Sequence, residues 1–188
     1  MRQALVDQRR ELHMHPELSF EEWETGKSIR AQLLALGYEL QAGIEAPNCV
    51  AILRGGKAGK TVALRADIDA LPITEENDVP YRSKVDGVMH ACGHDAHTAM
   101  LLGAAKLLAD HRDCLDGNVK LIFQQAEELI PGGAKPLTEA GVMENPHVDA
   151  IFTQHVQAAL TMICRLLTGL FQYFFIHWVQ CAFAVYSR

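Results

Sequence analysis

Three histidines, a cysteine and an aspartate fall within eight residues in the run Met89-His90-Ala91-Cys92-Gly93-His94-Asp95-Ala96-His97. These side-chain types bind transition metals, and a zinc-like centre takes only about three or four of them from the protein. Cys92 and His94, two positions apart on a predicted turn, can converge on one ion and are the expected ligands. His90 is expected to be a surface histidine, His97 a histidine on a helix face, and Asp95 the cap of the helix that follows.

A second cluster, Phe123-Gln124-Gln125-Ala126-Glu127-Glu128, runs from an apolar strand straight into two carboxylates. Successive residues at a strand end point to opposite sides, so one carboxylate can bind a metal while its neighbour faces a substrate. A solvated acidic pair fits the same residues equally well. Further on, Asp149-Ala150-Ile151-Phe152-Thr153-Gln154-His155 ends a predicted strand in a lone histidine, and lone histidines are more often structural than ligating. Arg65-Ala66-Asp67-Ile68-Asp69-Ala70-Leu71-Pro72 ends another strand in acids, where Asp67 is either a carboxylate that steadies a ligand imidazole or a turn residue.

The elements that must position these groups alternate between strand and helix. Ser19 and Glu22 have capping-box spacing, with an apolar stripe of Ile29, Leu33, Leu34 and Leu36 behind them and Gly37 as a stop. Residues 48–53 and 61–66 read as strands paired through the turn-forming stretch 54–59. The stretch 68–91, broken by Pro72, Pro80 and Gly87, reads as a long functional loop. A helix over 96–108, a buried strand over 119–123, a short helix over 134–140 ended by Gly141, and a strand over 148–152 complete the pattern. This alternation predicts an α/β layered domain.

The 188 residues suit one domain, and 49% hydrophobic with 21% charged residues suits a globular fold. A net charge of -6 with interspersed signs provides no basic stripe, which excludes nucleic acid as the expected partner and favours a small molecule. Cysteines 49, 92, 114, 164 and 181 form no CxxC pair, and the polar N-terminus has no signal-like apolar core, so a reducing cytoplasmic location is expected. All 23 acidic residues lie at or before Asp149, whereas 158–188 carries only Arg165 and Arg188 as formal charges. Residues 166–186 have no formal charge and are long enough to cross a bilayer, although Thr168, Gln172, His177 and Gln180 dilute their apolarity. The other reading of 158–188 is a tail foreign to the fold, as a shifted reading frame would produce.

The ordered blocks RRELHMHPELSFEE, ALRADIDALPITEEN, MHACGHDAHTAMLLGAAKLL, LIFQQAEE and TQHV together resemble the peptidase M20 family of metal-dependent amidohydrolases, in its aminoacylase, hippurate hydrolase and auxin-conjugate hydrolase branch. The resemblance covers about residues 5 to 156 and implies that 1–157 is the N-terminal part of an M20-type catalytic domain, an α/β fold with a central sheet flanked by helices. It implies two divalent ions (zinc, manganese, nickel or cobalt) held by Cys92, His94, Glu128 and His155, with Glu127 as general base and Asp67 as a supporting carboxylate. The implied activity is hydrolysis of the amide bond of N-acyl amino acids or similar acyl conjugates, expected to be impaired in this truncated chain, and a homo-oligomer is compatible with an intact member. Gln125 replaces the proline usual in the family motif. The lid and dimerisation domain and the distal histidine ligand that follow in the family have no match after Val156. The alternative function is a non-catalytic remnant or a membrane-tethered metal-binding module.

Overall fold

The computed structural model describes residues 1–156 and, by backbone alone, the strand positions 175–176 and 179–180. The membrane-span reading of 166–186 therefore falls outside the described residues apart from those four positions. Among the described residues no helix is long and apolar enough to cross a membrane.

Helices α1 (Arg2–Met14) and α2 (Trp23–Ala35) precede strands β1 (Glu39–Leu40), β2 (Cys49–Arg54) and β3 (Lys57–Asp67). After the long loop come α3 (His94–Asp110), β4 (Asp116–Gln124), α4 (Ala134–Glu139), β5 (Ala150–Thr153) and β6 (His155–Val156). The five-stranded sheet has the order β1-β2-β4-β3-β5. In it β3 runs parallel to both β4 and β5, while β2 is antiparallel to β4. Short strands β7 (Phe175–Ile176) and β8 (Val179–Gln180) pair with each other, and β8 pairs antiparallel with β6.

The α/β fold is as expected, but β2 and β3 are not partners. β4 lies between them, and the Gly55-Gly56 connection wraps around its end, with Gly55 N–H donating to Gly117 O at 2.8 Å and Gly56 N–H to Arg112 O at 2.9 Å. Both glycines are required there, since a Cβ would lie 2.4 Å from Gly117 O or 2.5 Å from Asp113 O. A parallel β3–β4 pair buried on both faces excludes the hairpin that the intervening turn residues suggested.

Two apolar layers sandwich the sheet. Ile29 and Leu33 of α2 and Leu101, Leu102 and Ala105 of α3 pack on one face with Leu53, Leu121 and Phe123; Leu137, Val142 and Val148 pack on the other with Val50, Ala63 and Ile122. Leu34, expected in the α2 stripe, is instead exposed because it lies on the far side of the helix from Ile29 and Leu33. Gly37 does stop α2, at φ +81°, with Tyr38 N–H returning to Leu33 O at 3.0 Å.

The predicted capping box is absent. Glu17 accepts from the backbone N–H groups of Glu24 and Thr25 at 3.1 and 2.8 Å, while Ser19 and Glu22 turn toward the strand ends. At the next helix Asp95 is not the cap either, since that position is Gly93, at φ +99°. Asp95 is fully buried, and its Oδ2 meets His13 Nδ1 and Arg9 Nε, each at 2.7 Å, because α1 packs directly across α3.

Candidate metal centre

The C-terminal ends of the parallel strands converge with the N-terminus of α3, the usual place for a binding crevice in an open α/β sheet. β3 ends at Asp67 and leads into Asp69, β4 ends at Gln124 and leads into Glu127 and Glu128, and β6 carries His155. Gly93 provides the left-handed turn that starts α3 at His94. A Cβ there would lie 2.5 Å from Val156 Cγ2, so glycine lets β6 approach Cys92.

His94 is the centre of the cluster and is fully buried. Its Nδ1 meets the carbonyl and a carboxylate oxygen of Asp69, each at 3.0 Å, which leaves Nε2 facing inward. Around Nε2 stand Asp67 Oδ1 at 3.7 Å, Glu128 Oε1 at 3.7 Å and Glu127 Oε2 at 4.0 Å. Cys92 Sγ and His155 Nε2 are 3.2 Å apart. Three sets of ligand atoms lie within 4.8 Å of one another: Cys92-His94-His155, Asp67-His94-His97 and His94-Glu127-Glu128. All six residues singled out for site roles are thus brought together.

Neither His94 Nε2 nor Glu128 Oε1 has a hydrogen-bond partner among the described residues, although both atoms are buried. Buried polar atoms are nearly always paired, and two that stand 3.7 Å apart among further ligand atoms form a group with the geometry to hold a cation. Electrostatics agrees. Burial opposes charge on His94, but the Asp69 hydrogen bond, the neighbouring Cys92 thiol and the field of Asp67 raise it to about 11. A positive charge at this imidazole is what the surrounding acids favour, and a metal ion at Nε2 would satisfy them equally. His94 also draws the Cys92 thiol downward, yet burial and Glu128 leave it raised overall, so a thiolate there needs a further cation.

Asp67 and Asp69 divide the work of orientation. Burial alone would raise Asp67, but the bond to His97 Nδ1 at 2.5 Å and the charges of His94 and Arg65 hold it well below the ordinary carboxylate range. Asp69, not singled out from sequence, is the group bonded to His94 Nδ1, and it also accepts from Ser19 Oγ at 2.7 Å and Glu128 N–H at 3.0 Å. The signal available was its position two residues after Asp67, on the same side of an extended chain.

His97 lies on the α3 face turned to the site, with both nitrogens engaged, Nδ1 by Asp67 and Nε2 by the Val156 N–H at 2.9 Å. His90 is not a surface histidine. The loop folds back through paired Leu71 and Met89 backbone bonds of 3.0 Å, which buries the His90 ring and lowers it to about 4.

Residues 63–162, just over half of the chain, match peptidase family M20/M25/M40. The chain is 51% identical over 157 residues to thermostable carboxypeptidase 2 of Saccharolobus solfataricus, covering 82% of this chain and 39% of that protein. It is 49% identical over 155 residues to N-acetylcysteine deacetylase of Bacillus subtilis, covering 80% and 39%. Among solved structures, a dinuclear metal-binding peptidase from the M20 family of Bacillus subtilis matches with a TM-score of 0.75 and 48% identity, over 83% of this chain and 43% of that one. The chain thus spans about two fifths of the length of the curated relatives it matches, 39% in both cases. Sequence, sheet and the ligand-rich strand ends agree, and the chain belongs to peptidase family M20/M25/M40.

Proposed function

We propose that the chain carries the metal-binding and proton-transferring part of an amidohydrolase acting on N-acyl amino acids. Cys92, His94, Glu128 and His155 are the ligands, Glu127 is the general base, and Asp67 supports the cluster from the Nε2 side of His94. The observation that carries this reading is His94, fixed at Nδ1 by Asp69 while its buried, unpartnered Nε2 faces a thiol and three carboxylates. Thiolate, imidazole and carboxylate donors suit zinc, manganese, nickel or cobalt. The likeness to a protein described as dinuclear supports two ions. When bound, such ions lower the pKa of a water and polarise an amide carbonyl.

The chain's own residues then divide by exposure. His94 is closed off from solvent, the Glu128 side chain is 23% exposed and that of Glu127 41%. Glu127 therefore stands at the lip, where substrate and water arrive. It takes a proton from the attacking water as the new C–O bond forms and passes it to the nitrogen as the C–N bond breaks. Glu128, held by its N–H to Asp69, stays turned toward His94. The N-acyl amino acid assignment rests on the name of the similar deacetylase. A reducing compartment such as the cytoplasm keeps Cys92 as a free thiol, available to a metal.

The test is hydrolysis of N-acetyl amino acids by the zinc-, manganese-, nickel- or cobalt-loaded protein, with metal content measured on the same sample. Parent protein should release free amino acid, and Glu127→Gln should lose about 100-fold or more of that rate with bound metal unchanged. Retained hydrolysis in Glu127→Gln would remove Glu127 from the base role. Bound metal without hydrolysis in the parent would leave the alternative, a non-catalytic metal-binding module.

A further inference from the structure

Beyond β4 the chain leaves the sheet, and its backbone must find other partners before it reaches Glu127 and Glu128. Three successive side-chain acceptors provide them. Gln125 N–H donates to Asn48 Oδ1 at 3.0 Å, Ala126 N–H to Glu22 Oε1 at 2.7 Å, and Glu128 N–H to Asp69 Oδ2 at 3.0 Å. Ala126 itself has φ +48°, a conformation a residue with a Cβ holds only when its surroundings require it. Gly133 N–H closes the turn from the other side, donating to Ala126 O at 2.9 Å.

Glu22 occupies the middle of this cradle. It is fully buried at the start of α2, and its second oxygen has no hydrogen-bond partner among the described residues. A glutamate kept inside a protein without a cationic partner needs a local reason, because burial of a carboxylate is costly. Its spacing from Ser19 suggested a helix cap, but Glu22 makes no cap bond; both residues instead face the site, Ser19 through Asp69 and Glu22 through Ala126.

We infer that Glu22 is a positioning residue that fixes the left-handed turn at Ala126 and thereby aims the Glu127-Glu128 pair at His94. The inference rests on the metal-centre reading above, through Glu128. What matters is the reach of one oxygen to the Ala126 N–H, and the carboxylate charge is secondary. Burial raises Glu22 to about 7, so it is partly protonated at neutral pH and glutamine is a close stand-in.

The test separates reach from charge in the full chain, with cobalt(II) as the probe. Glu22→Gln keeps the acceptor at full length and loses the charge; Glu22→Asp keeps the charge and is one methylene too short. Cobalt affinity is read by titration, the Cys92 contact by the thiolate-to-cobalt absorption band, and the carboxylate contact by the visible d–d bands. Parent and Glu22→Gln should bind alike. Glu22→Asp should keep the thiolate band, change the d–d bands and bind about tenfold more weakly, the loss expected when a group orienting a metal ligand is disturbed. Equal affinity and equal spectra for Glu22→Asp and parent overturn the inference, as does a loss in Glu22→Gln alone, which would assign the role to charge. If the parent forms no thiolate band, the metal-centre reading falls and takes this inference with it. If Glu22→Asp fails to fold, the decision passes to Glu22→Gln with Ala126→Gly added; glycine adopts positive φ freely, so parental affinity is expected, and a tenfold loss overturns the inference.

Discussion

At the scale of single residues, Glu22 links the geometry of the site to the pH dependence of the fold. Its ordinary midpoint of 4.5 is raised to about 7, chiefly by burial, with the neighbouring charges of Asp69 and Glu17 acting in the same direction. Between those values the folded protein binds more protons at this group than the unfolded chain does. Its contribution to stability is therefore fully present below about pH 4.5, declines as the pH rises to about 7, and is constant above that. The decline amounts to roughly 3 kcal/mol. Glu22→Gln removes the titration, so its melting temperature relative to the parent should rise between about pH 5 and about pH 8. A difference that stays constant with pH would contradict a buried, titrating Glu22. The same residue shows what a linear motif conceals, since the Ser19–Glu22 spacing was legible and its purpose was not. The spacing fits a helix cap and a pair of side chains facing a strand end equally well, and only the bonds of Glu22 to the Ala126 N–H beyond β4 and of Ser19 to Asp69 beyond β3 distinguish them.

At the scale of elements, β4 is the piece on which both halves of the sheet depend. Lys120 lies in the middle of this apolar strand and is fully buried, its Nζ donating to the carbonyls of Val142, Glu144 and Pro146 at 2.8, 2.8 and 3.0 Å. It thereby ties the segment that leads into β5 to the strand that leads into Glu128. Lys120→Met keeps the length of the side chain but leaves three carbonyls without a donor. Urea unfolding should show a loss of about 3 kcal/mol or more; a loss under about 1 kcal/mol would mean that water replaces the lysine. Helix and strand identities along 94–153 were readable because apolar periodicity fixes them. Strand neighbours were not, because pairing of 48–53 with 61–66 satisfies the same periodicity as insertion of β4 between them.

At the scale of the whole molecule, the candidate centre joins segments far apart in sequence, from Asp67 through Cys92 and His94 to Glu127, Glu128 and His155. An ion held by these groups in the folded state alone must stabilise that state. At a free concentration about 100 times its Kd, the gain is about 2.7 kcal/mol, which for a domain of this size is a rise of about 5–10 °C in Tm. Melting with added cobalt(II) and then with excess chelator should show this rise and its reversal. An identical Tm under both conditions would mean that the cluster does not bind metal in the folded chain.

The sequence by itself determined the α/β alternation and the M20 resemblance, and through that resemblance it singled out the six side chains that the fold brings together. Side-chain chemistry and periodicity are local properties, and ordered motif blocks persist whatever the chain folds against. The tertiary structure decided the rest. It placed β4 between β2 and β3, buried His90, turned Asp95 to His13 and gave Asp69 rather than Asp67 the Nδ1 of His94. Each of these depends on which distant segment supplies a hydrogen-bond partner or excludes water. That is a property of packing, and no spacing along the chain encodes it.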